Sequence, residues 1–213
     1  MVRSDNIGFL TAAGREAMRS YGINTVVDLR SRSELNGESD SRFPRRKEKK
    51  ERAPGVTYVH RALVDDASMK KLGESPNMFD RYLVMLNRRQ HALCSIFTSI
   101  AEAEGGVLFH CFAGKDRTGL VAAMLLEMNG VAPDDIASDY GESDLQLAAQ
   151  YEEWISEAAP EKRDDLREEL RCPPERILGL LDYLRQKWGG VASYLEASGM
   201  TPANIDRVSA KLA

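Results

Sequence analysis

One stretch near the middle of the chain combines a nucleophilic side chain, a cation and a glycine at short spacing. It reads His110-Cys111-Phe112-Ala113-Gly114-Lys115-Asp116-Arg117-Thr118-Gly119. The apolar residues 107–109 before it predict a short strand, and residues 118–129 after it are apolar almost all round, which predicts a buried helix. A tight loop at a helix N-terminus presents several backbone N–H groups to one anion. The segment is therefore predicted to be a phosphate-binding loop between a strand and a helix.

The predicted nucleophile of this loop is Cys111. A helix N-terminus and nearby cations favour the thiolate form of a cysteine, which can attack phosphorus in line and form a phosphocysteine intermediate. Arg117, six positions later, is predicted to hold two phosphate oxygens bidentately and to stabilise the transition state. Thr118 is predicted to donate its hydroxyl to the sulfur, and His110 to brace the loop by hydrogen bonds. The residues predicted to surround the phosphate are Phe112, Ala113, Gly114, Lys115, Asp116 and Arg117.

The leaving oxygen of a phosphoester needs a proton, and the carboxylic acids are the candidates for supplying it. Asp116, inside the loop beside Arg117, is the preferred donor. Asp65 and Asp66, just after the second predicted strand, are the alternatives. Lys115 is predicted to add positive charge at the mouth of the site, which would favour substrates that carry more than one phosphate.

Alternating strand and helix patterns predict the elements that position this loop. Three short apolar runs predict strands, at residues 24–29, 56–60 and 107–109. A helix capped by Thr11 is predicted at residues 12–20, apolar residues recur at helical spacing over 79–100, and everything after Pro133 reads as helix. The pattern predicts one α/β domain over residues 1–213, with a central, mainly parallel sheet flanked by helices and a helical C-terminal half.

Two further charged features lie before the loop in the sequence. Asp28 and Arg30 end the strand that is predicted to lie next to the loop strand, and we expect them to form an ion pair that supports the loop, because such networks are often structural. The run from Arg42 to Arg52 holds seven basic residues against two acidic ones. We interpret it as a solvated loop, with a docking patch for anionic lipid or phosphoprotein as the alternative.

Composition excludes several classes of protein. A hydrophobic content of 43% suffices for one domain with a substantial core. No apolar run is long enough to span a bilayer and none of signal-peptide type opens the chain, so we predict no transmembrane segment and a cytoplasmic protein. The net charge of −4 gives no general case for nucleic-acid binding. Because Cys94, Cys111 and Cys172 show no paired spacing, neither a disulfide framework nor a zinc site is predicted, and the chemistry needs no metal or cofactor.

These residues resemble those of the protein tyrosine phosphatase superfamily, and more narrowly its atypical bacterial tyrosine and lipid phosphatases. Beyond the loop, the likeness extends to Val27-Asp28-Leu29-Arg30-Ser31 with Glu34, and to Gly189-Gly190 and Tyr194-Leu195. The resemblance implies a tyrosine-phosphatase-like fold and activity on phosphotyrosine, often on phosphoserine and phosphothreonine, and in some members on phosphoinositides. It also implies a catalytic role for Asp116 and a helical lid within residues 139–171.

The resulting interpretation is a cysteine-dependent phosphomonoester hydrolase for tyrosine, or for tyrosine, serine and threonine phosphates. A phosphorylated protein or a phosphoinositide is the expected substrate, and inorganic phosphate or vanadate the expected ligand. A phosphoinositide phosphatase, suggested by Lys115 and the basic run, stays an alternative. A non-catalytic phosphate-binding module is disfavoured because Cys111, Asp116 and Arg117 occur together. A nucleotide-binding loop is excluded because Asp116, rather than Ser or Thr, follows Lys115.

Overall fold

The computed structural model of the chain describes residues 1–37 and 51–212, and its centre is a parallel β-sheet. The strands run in the order β1-β4-β2-β3, with every neighbouring pair parallel. They are β1 (Val2–Ser4), β2 (Ile23–Asp28), β3 (Thr57–His60) and β4 (Gly106–His110). The predicted α/β fold with a parallel sheet flanked by helices is confirmed.

Helices make up most of the remaining described chain. The first half contains α1 (Ala12–Ser20), α2 (Arg32–Leu35), α3 (Asp66–Gly73), α4 (Met78–Arg88), α5 (Gln90–Glu102) and α6 (Asp116–Met128). The second half contains α7 (Pro133–Gln146), α8 (Ala148–Glu157), α9 (Arg163–Leu170), α10 (Pro174–Trp188), α11 (Val191–Ala197) and α12 (Pro202–Ala210). The expectation that the chain beyond Pro133 is helical is confirmed.

Local signals predicted some helix boundaries and not others. Thr11 caps α1 by accepting a hydrogen bond from the backbone N–H of Gly14, as its position predicted. The apolar residues at helical spacing over 79–100 predict one continuous helix. That prediction is wrong, because the backbone leaves helical geometry at Arg89 and two helices result. The guanidinium of Arg89 is anchored on the Leu63 carbonyl and the Asp65 carboxylate, which holds the break in place.

Strand β1 was not predicted from the sequence. It has three residues, too few for an alternating pattern to be recognised, and Val2 pairs with Leu108 of β4. β4, which leads into the predicted phosphate-binding loop, therefore lies between β1 and β2 in the sheet.

Both faces of the sheet are covered, as is usual for parallel sheets. On one face Val26 and Leu108 pack with Met18 of α1. On the other face Val27 and Phe109 belong to the main core, which the helices after β4 complete. The carboxyl ends of β2 and β4 lie side by side, since Asp28 pairs with His110, and this end of a parallel sheet is where ligands bind.

Most of the basic run over 42–52 lies outside the described residues, so its interpretation as a solvated loop stays a prediction. Of its arginines the structure describes Arg52, whose guanidinium lies 4.9 Å from the centre of the Tyr58 ring. Across residues 1–37 and 51–212, the helices are all too short or too polar to cross a membrane. In the same ranges, His, Cys, Asp and Glu residues form no cluster of three or more that could hold a metal ion.

Candidate active site

The loop after β4 is shaped by a glycine. Cys111 follows the last residue of β4 and is 2% exposed, and α6 begins at Asp116. Between them Gly114 adopts a φ of +70°, a conformation that other L-residues avoid. A Cβ on Gly114 would also lie 2.6 Å from the Ser4 carbonyl oxygen, so the loop requires glycine for space as well as for its backbone angle.

The N-terminus of α6 is open to an anion. Lys115 is the N-cap of this helix, and its side chain makes no capping hydrogen bond. The first N–H groups of a helix lack partners within the helix, and together with the helix dipole they attract negative charge. Since Cys111 lies just before this N-terminus, the sulfur and a bound phosphate would share its field.

Arg117 is held by a carboxylate that comes from another element. Its Nη1 and Nη2 donate to the two carboxylate oxygens of Glu34, at 2.5 and 2.7 Å. Burial alone lowers the pKa of Arg117, but Glu34 and Cys111 outweigh it and hold that pKa above its ordinary value. The pair uses two of the five guanidinium N–H donors, so the others stay available for phosphate oxygens.

Glu34 is itself fixed by a capping box at the start of α2. The Ser31 side chain accepts from the backbone N–H of Glu34, and Glu34 Oε2 accepts from the backbone N–H of Ser31 at 2.7 Å. One carboxylate therefore ties the chain after β2 to Arg117 of the loop.

Asp116 is engaged by a buried tyrosine. Tyr82 of α4 donates to Asp116 Oδ1 at 2.6 Å, and the Tyr82 and Tyr140 hydroxyl oxygens are 3.0 Å apart. Arg176 of α10 donates to the Tyr140 oxygen at 3.5 Å. Asp116 lines the same cavity as Cys111 and Arg117.

The two alternative proton donors lie elsewhere. Asp65 caps α3 through the backbone N–H of Ser68 and also accepts from Arg89, and Asp66 accepts from Ser33. Neither Asp65 nor Asp66 lines the cavity that contains Cys111. Of the three candidate carboxyl groups, the geometry brings only Asp116 to this cavity.

Lys115 lines the Cys111 cavity, but its ammonium group is bonded to the end of α9 instead of standing free at the mouth, where we expected it. It is 3% exposed, and its ammonium group donates to the carbonyl oxygens of Glu169 and Leu170 at 2.9 and 3.0 Å. A cation is favourable at these carbonyls because they form the C-terminus of α9. Lys115 thus joins the loop to a helix more than fifty residues later in the chain.

The residues predicted to support the loop form a network behind it. Asp28 accepts from the Nε and Nη2 of Arg30, at 3.0 and 2.7 Å, and its Oδ2 lies 3.5 Å from His110 Nε2. His110 Nδ1 lies 3.1 Å from the Cys111 carbonyl oxygen. Burial lowers the pKa of His110 despite the Asp28 carboxylate, so the imidazole is neutral at pH 7. None of these three side chains lines the Cys111 cavity.

Thr118 was predicted to donate to the sulfur. Its side chain is fully buried, and within residues 1–37 and 51–212 its hydroxyl has no hydrogen-bond partner. The bond to Cys111 is therefore not formed in this structure, and the role of Thr118 stays a prediction.

The cavity beside Cys111 has a volume of about 380 Å³. Its apolar lining comes from α3, α4, α8, α9 and the loops near them, namely Val64, Met69, Leu72, Met78, Met85, Trp154 and Leu170. Arg81 and Glu169 form an ion pair at its wall. The cavity is thus polar beside Cys111, Asp116 and Arg117, and its other walls are mainly apolar apart from the Arg81–Glu169 pair.

Helices α8 and α9, which lie within the predicted 139–171 segment, cover the loop. They form an apolar cluster of their own, and Phe112 and Ala113 of the loop pack against it. The rings of Phe112 and Trp154 stack with their centres 6.1 Å apart. Together with the Lys115 contacts, this stacking closes one side of the cavity.

Sequence reasoning missed two functional contacts. Glu34 was named only as part of the family resemblance, with no role assigned to it. The Ser31-x-x-Glu34 spacing is that of a capping box, which predicts a helix start and not a partner for Arg117. Tyr82 occupies an apolar helix and carries no sequence signal for a contact with Asp116.

Comparison with known proteins assigns relatives to this chain. A model of the tyrosine phosphatase family matches residues 1–213. The chain is 32% identical to the triple specificity protein phosphatase PtpB of Mycobacterium tuberculosis, over 98% of this chain and 88% of that protein. It is 28% identical to a tyrosine-protein phosphatase of Nostoc commune, over 99% of this chain and 73% of that protein.

Proposed function

The chain belongs to the tyrosine phosphatase family, and from this premise we propose that it hydrolyses phosphate monoesters through a phosphocysteine intermediate on Cys111. The observation that carries the proposal is that Cys111, Asp116 and Arg117 line one cavity at the N-terminus of α6. A nucleophile, a proton donor and a phosphate-binding cation are the groups that this reaction needs.

In the first step the phosphate binds to the loop N–H groups and to the free N–H donors of Arg117. The Cys111 thiolate attacks phosphorus, an S–P bond forms, and the bond from phosphorus to the leaving oxygen breaks. Asp116 gives its proton to that oxygen, so the alcohol or phenol leaves neutral. Arg117 and the α6 N-terminus stabilise the negative charge on the equatorial oxygens.

In the second step a water molecule attacks the phosphocysteine. Asp116, now ionised, accepts a proton from the water, the S–P bond breaks, and Cys111 leaves as a thiolate. Inorganic phosphate is released and both side chains return to their starting protonation states. We propose that inorganic phosphate and vanadate bind in the same place and inhibit competitively.

We favour phosphotyrosine in proteins as the substrate. The apolar walls of the cavity, which include Met69, Met78 and Trp154, suit a phenyl ring above the phosphate. The relative from Mycobacterium tuberculosis is named a triple specificity protein phosphatase, which favours a test with several substrate classes. Serine and threonine phosphates and phosphoinositides, which the sequence resemblance implies for the family, belong in that test. Lys115 is committed to the carbonyls of α9, which gives no added support for a second phosphate.

The test is a substrate panel with two cysteine variants. Purified protein is assayed on a phosphotyrosine peptide, a phosphoserine peptide and phosphoinositide in vesicles, and we expect the highest kcat/KM on phosphotyrosine. Cys111→Ser should abolish turnover and the covalent labelling of rapidly denatured protein by ³²P substrate. Cys94→Ser, which changes a buried cysteine in α5, should retain both.

Turnover that survives Cys111→Ser would refute the mechanism. Tight binding of the phosphopeptide without turnover by the intact protein would instead favour a phosphate-binding module. A higher kcat/KM on vesicles than on the phosphotyrosine peptide would make the protein a phosphoinositide phosphatase.

A further inference from the structure

We propose that Tyr82 is a positioning residue for the proton donor, holding one oxygen of Asp116 so that the other can deliver a proton to the leaving group. The inference rests on the proposed function, in which Asp116 is that donor. It concerns a side chain on α4, outside the loop that carries the reacting groups.

The geometry at Asp116 distinguishes its two oxygens. Tyr82 donates to Oδ1 at 2.6 Å, and the ammonium group of Lys115 lies 3.6 Å from the same oxygen. Within the described chain both contacts therefore engage Oδ1, and Oδ2 is the oxygen that can carry the transferred proton. Tyr82 is fully buried, whereas the Asp116 side chain is 29% exposed and lines the cavity.

The hydrogen bonds around Tyr82 have one direction. Oδ1 of Asp116 accepts both when the carboxyl group is ionised and when it carries its proton on Oδ2, so the single hydroxyl proton of Tyr82 is used on Asp116 in either state. At the 3.0 Å contact Tyr140 must then donate to Tyr82, and Arg176 in turn donates to Tyr140. Burial and the Asp116 carboxylate raise the pKa of both tyrosines, which keeps both phenols protonated at pH 7. Each donor is thereby oriented by the one behind it.

The chain of donors is also fixed mechanically. Its members come from three separate helices: α7 and α10 pack against α6, and α4 packs against α10. Tyr140 lies so close to α6 that a Cβ on Gly119 would be 3.0 Å from its ring. A catalytic group is effective when its support holds it within about half an ångström of the productive position. Tyr82 therefore holds Asp116 through residues of the buried core, and its own hydrogen-bond partners do not lie on α8 or α9.

The experiment compares leaving groups. An activated ester such as p-nitrophenyl phosphate needs little help from an acid, whereas phenyl phosphate needs protonation of its leaving oxygen. We expect Tyr82→Phe to lower kcat/KM on phenyl phosphate about tenfold, which corresponds to about 1.4 kcal/mol, and kcat/KM on p-nitrophenyl phosphate less than about twofold. The comparison uses kcat/KM because it reports the first step, whereas hydrolysis of the phosphocysteine is common to both esters. In an Asp116→Asn background, Tyr82→Phe should have no further effect.

Tyr194→Phe is the matched control, since it removes another buried tyrosine hydroxyl, one that donates to the Leu86 carbonyl away from the site. It should leave the ratio of the two kcat/KM values unchanged. Tyr140→Phe, one step further along the chain, should move the ratio in the same direction as Tyr82→Phe but less, and it serves if Tyr82→Phe does not fold.

Two results would overturn the inference on its own: an equal loss on both esters, or the same loss with Asp116→Asn already present. A native protein that hydrolyses neither ester would refute the proposed function, and this inference with it.

Discussion

Replacing Glu34 by glutamine removes the charge from the buried partner of Arg117 while it keeps the shape of the side chain and its ability to accept from the Ser31 N–H. The two charged side chains are 7% and 10% exposed, so solvent screens them little. Breaking a buried pair by deleting one partner costs about 3–5 kcal/mol, which we expect for Glu34→Ala. In Glu34→Gln the remaining oxygen can still accept from the Ser31 N–H and from Arg117 Nη1, but an NH2 donor replaces the oxygen that accepts from Nη2, so one hydrogen bond is lost with the charge. We expect a loss of about 1.5–3 kcal/mol.

Urea unfolding measures these free energies, and kcat/KM on p-nitrophenyl phosphate reports the position of Arg117. We expect kcat/KM to fall about tenfold to a hundredfold in Glu34→Gln, because the guanidinium loses the partner that orients it. Ser31→Ala is the control, since it removes the other half of the capping box and leaves the ion pair, at a cost of about 1 kcal/mol.

Acid provides a second measurement of the same pair. Burial raises the pKa of Glu34, but Arg117 and the Ser31 N–H outweigh it and hold that pKa below its usual 4.5. The unfolded chain therefore binds the proton more readily than the folded protein does. The stabilisation is present above about pH 4.5 and is lost as the pH falls through the folded pKa. The difference in stability between the native protein and Glu34→Gln should accordingly shrink on acidification.

The reasoning about Glu34 would be refuted by a Glu34→Gln protein with native stability and native kcat/KM at pH 7. A stability difference that stays constant from pH 7 to well below pH 4.5 would show that the charge of Glu34 contributes nothing.

Three further predictions concern the loop. Gly114→Ala should lower the free energy of unfolding by more than about 2 kcal/mol and abolish turnover. Gly130 has a similar positive φ but open space around it, so Gly130→Ala should lower the free energy of unfolding by only about 1–2 kcal/mol. Equal losses measured by thermal unfolding would contradict the contact with Ser4. Lys115→Met should increase amide hydrogen exchange in α8 and α9 at least tenfold, and unchanged protection would refute its role in holding α9. Asp116→Asn should lower kcat/KM on phenyl phosphate far more than on p-nitrophenyl phosphate, while Asp65→Asn should affect both esters alike. The reverse pattern would assign the role of proton donor to Asp65 instead of Asp116.

The parts of the site that could be predicted are those encoded by neighbours in sequence. The spacing from Cys111 to Arg117, with an apolar strand before and an apolar helix after, predicts a loop whose geometry depends on local turn chemistry. Asp28 and Arg30 were placed beside the loop because β2 and β4 had to be adjacent parallel strands, and the ion pair between these two residues is present.

The parts that could not be predicted depend on which distant side chains meet. Glu34 reaches Arg117 across 83 positions, and Tyr82 reaches Asp116 across 34, and neither separation leaves a periodic signal. Lys115 was expected at the mouth of the site as added positive charge for the substrate, but the carbonyls at the end of α9 supply the partners that its burial requires. The helix break at Arg89 likewise depends on contacts with the chain after β3.

Gly114 packs against Ser4, so the shape of the loop depends on the strand that pairs with the outer side of β4. β1 and β4 are far apart in sequence, and pairing of this kind forms slowly because the intervening chain must first be closed into a loop. The backbone around Cys111 therefore reaches its final conformation only when this pairing is complete. A substitution in β1 that weakens the pairing should disturb the conformation of the loop, although β1 lies far from Cys111 in sequence.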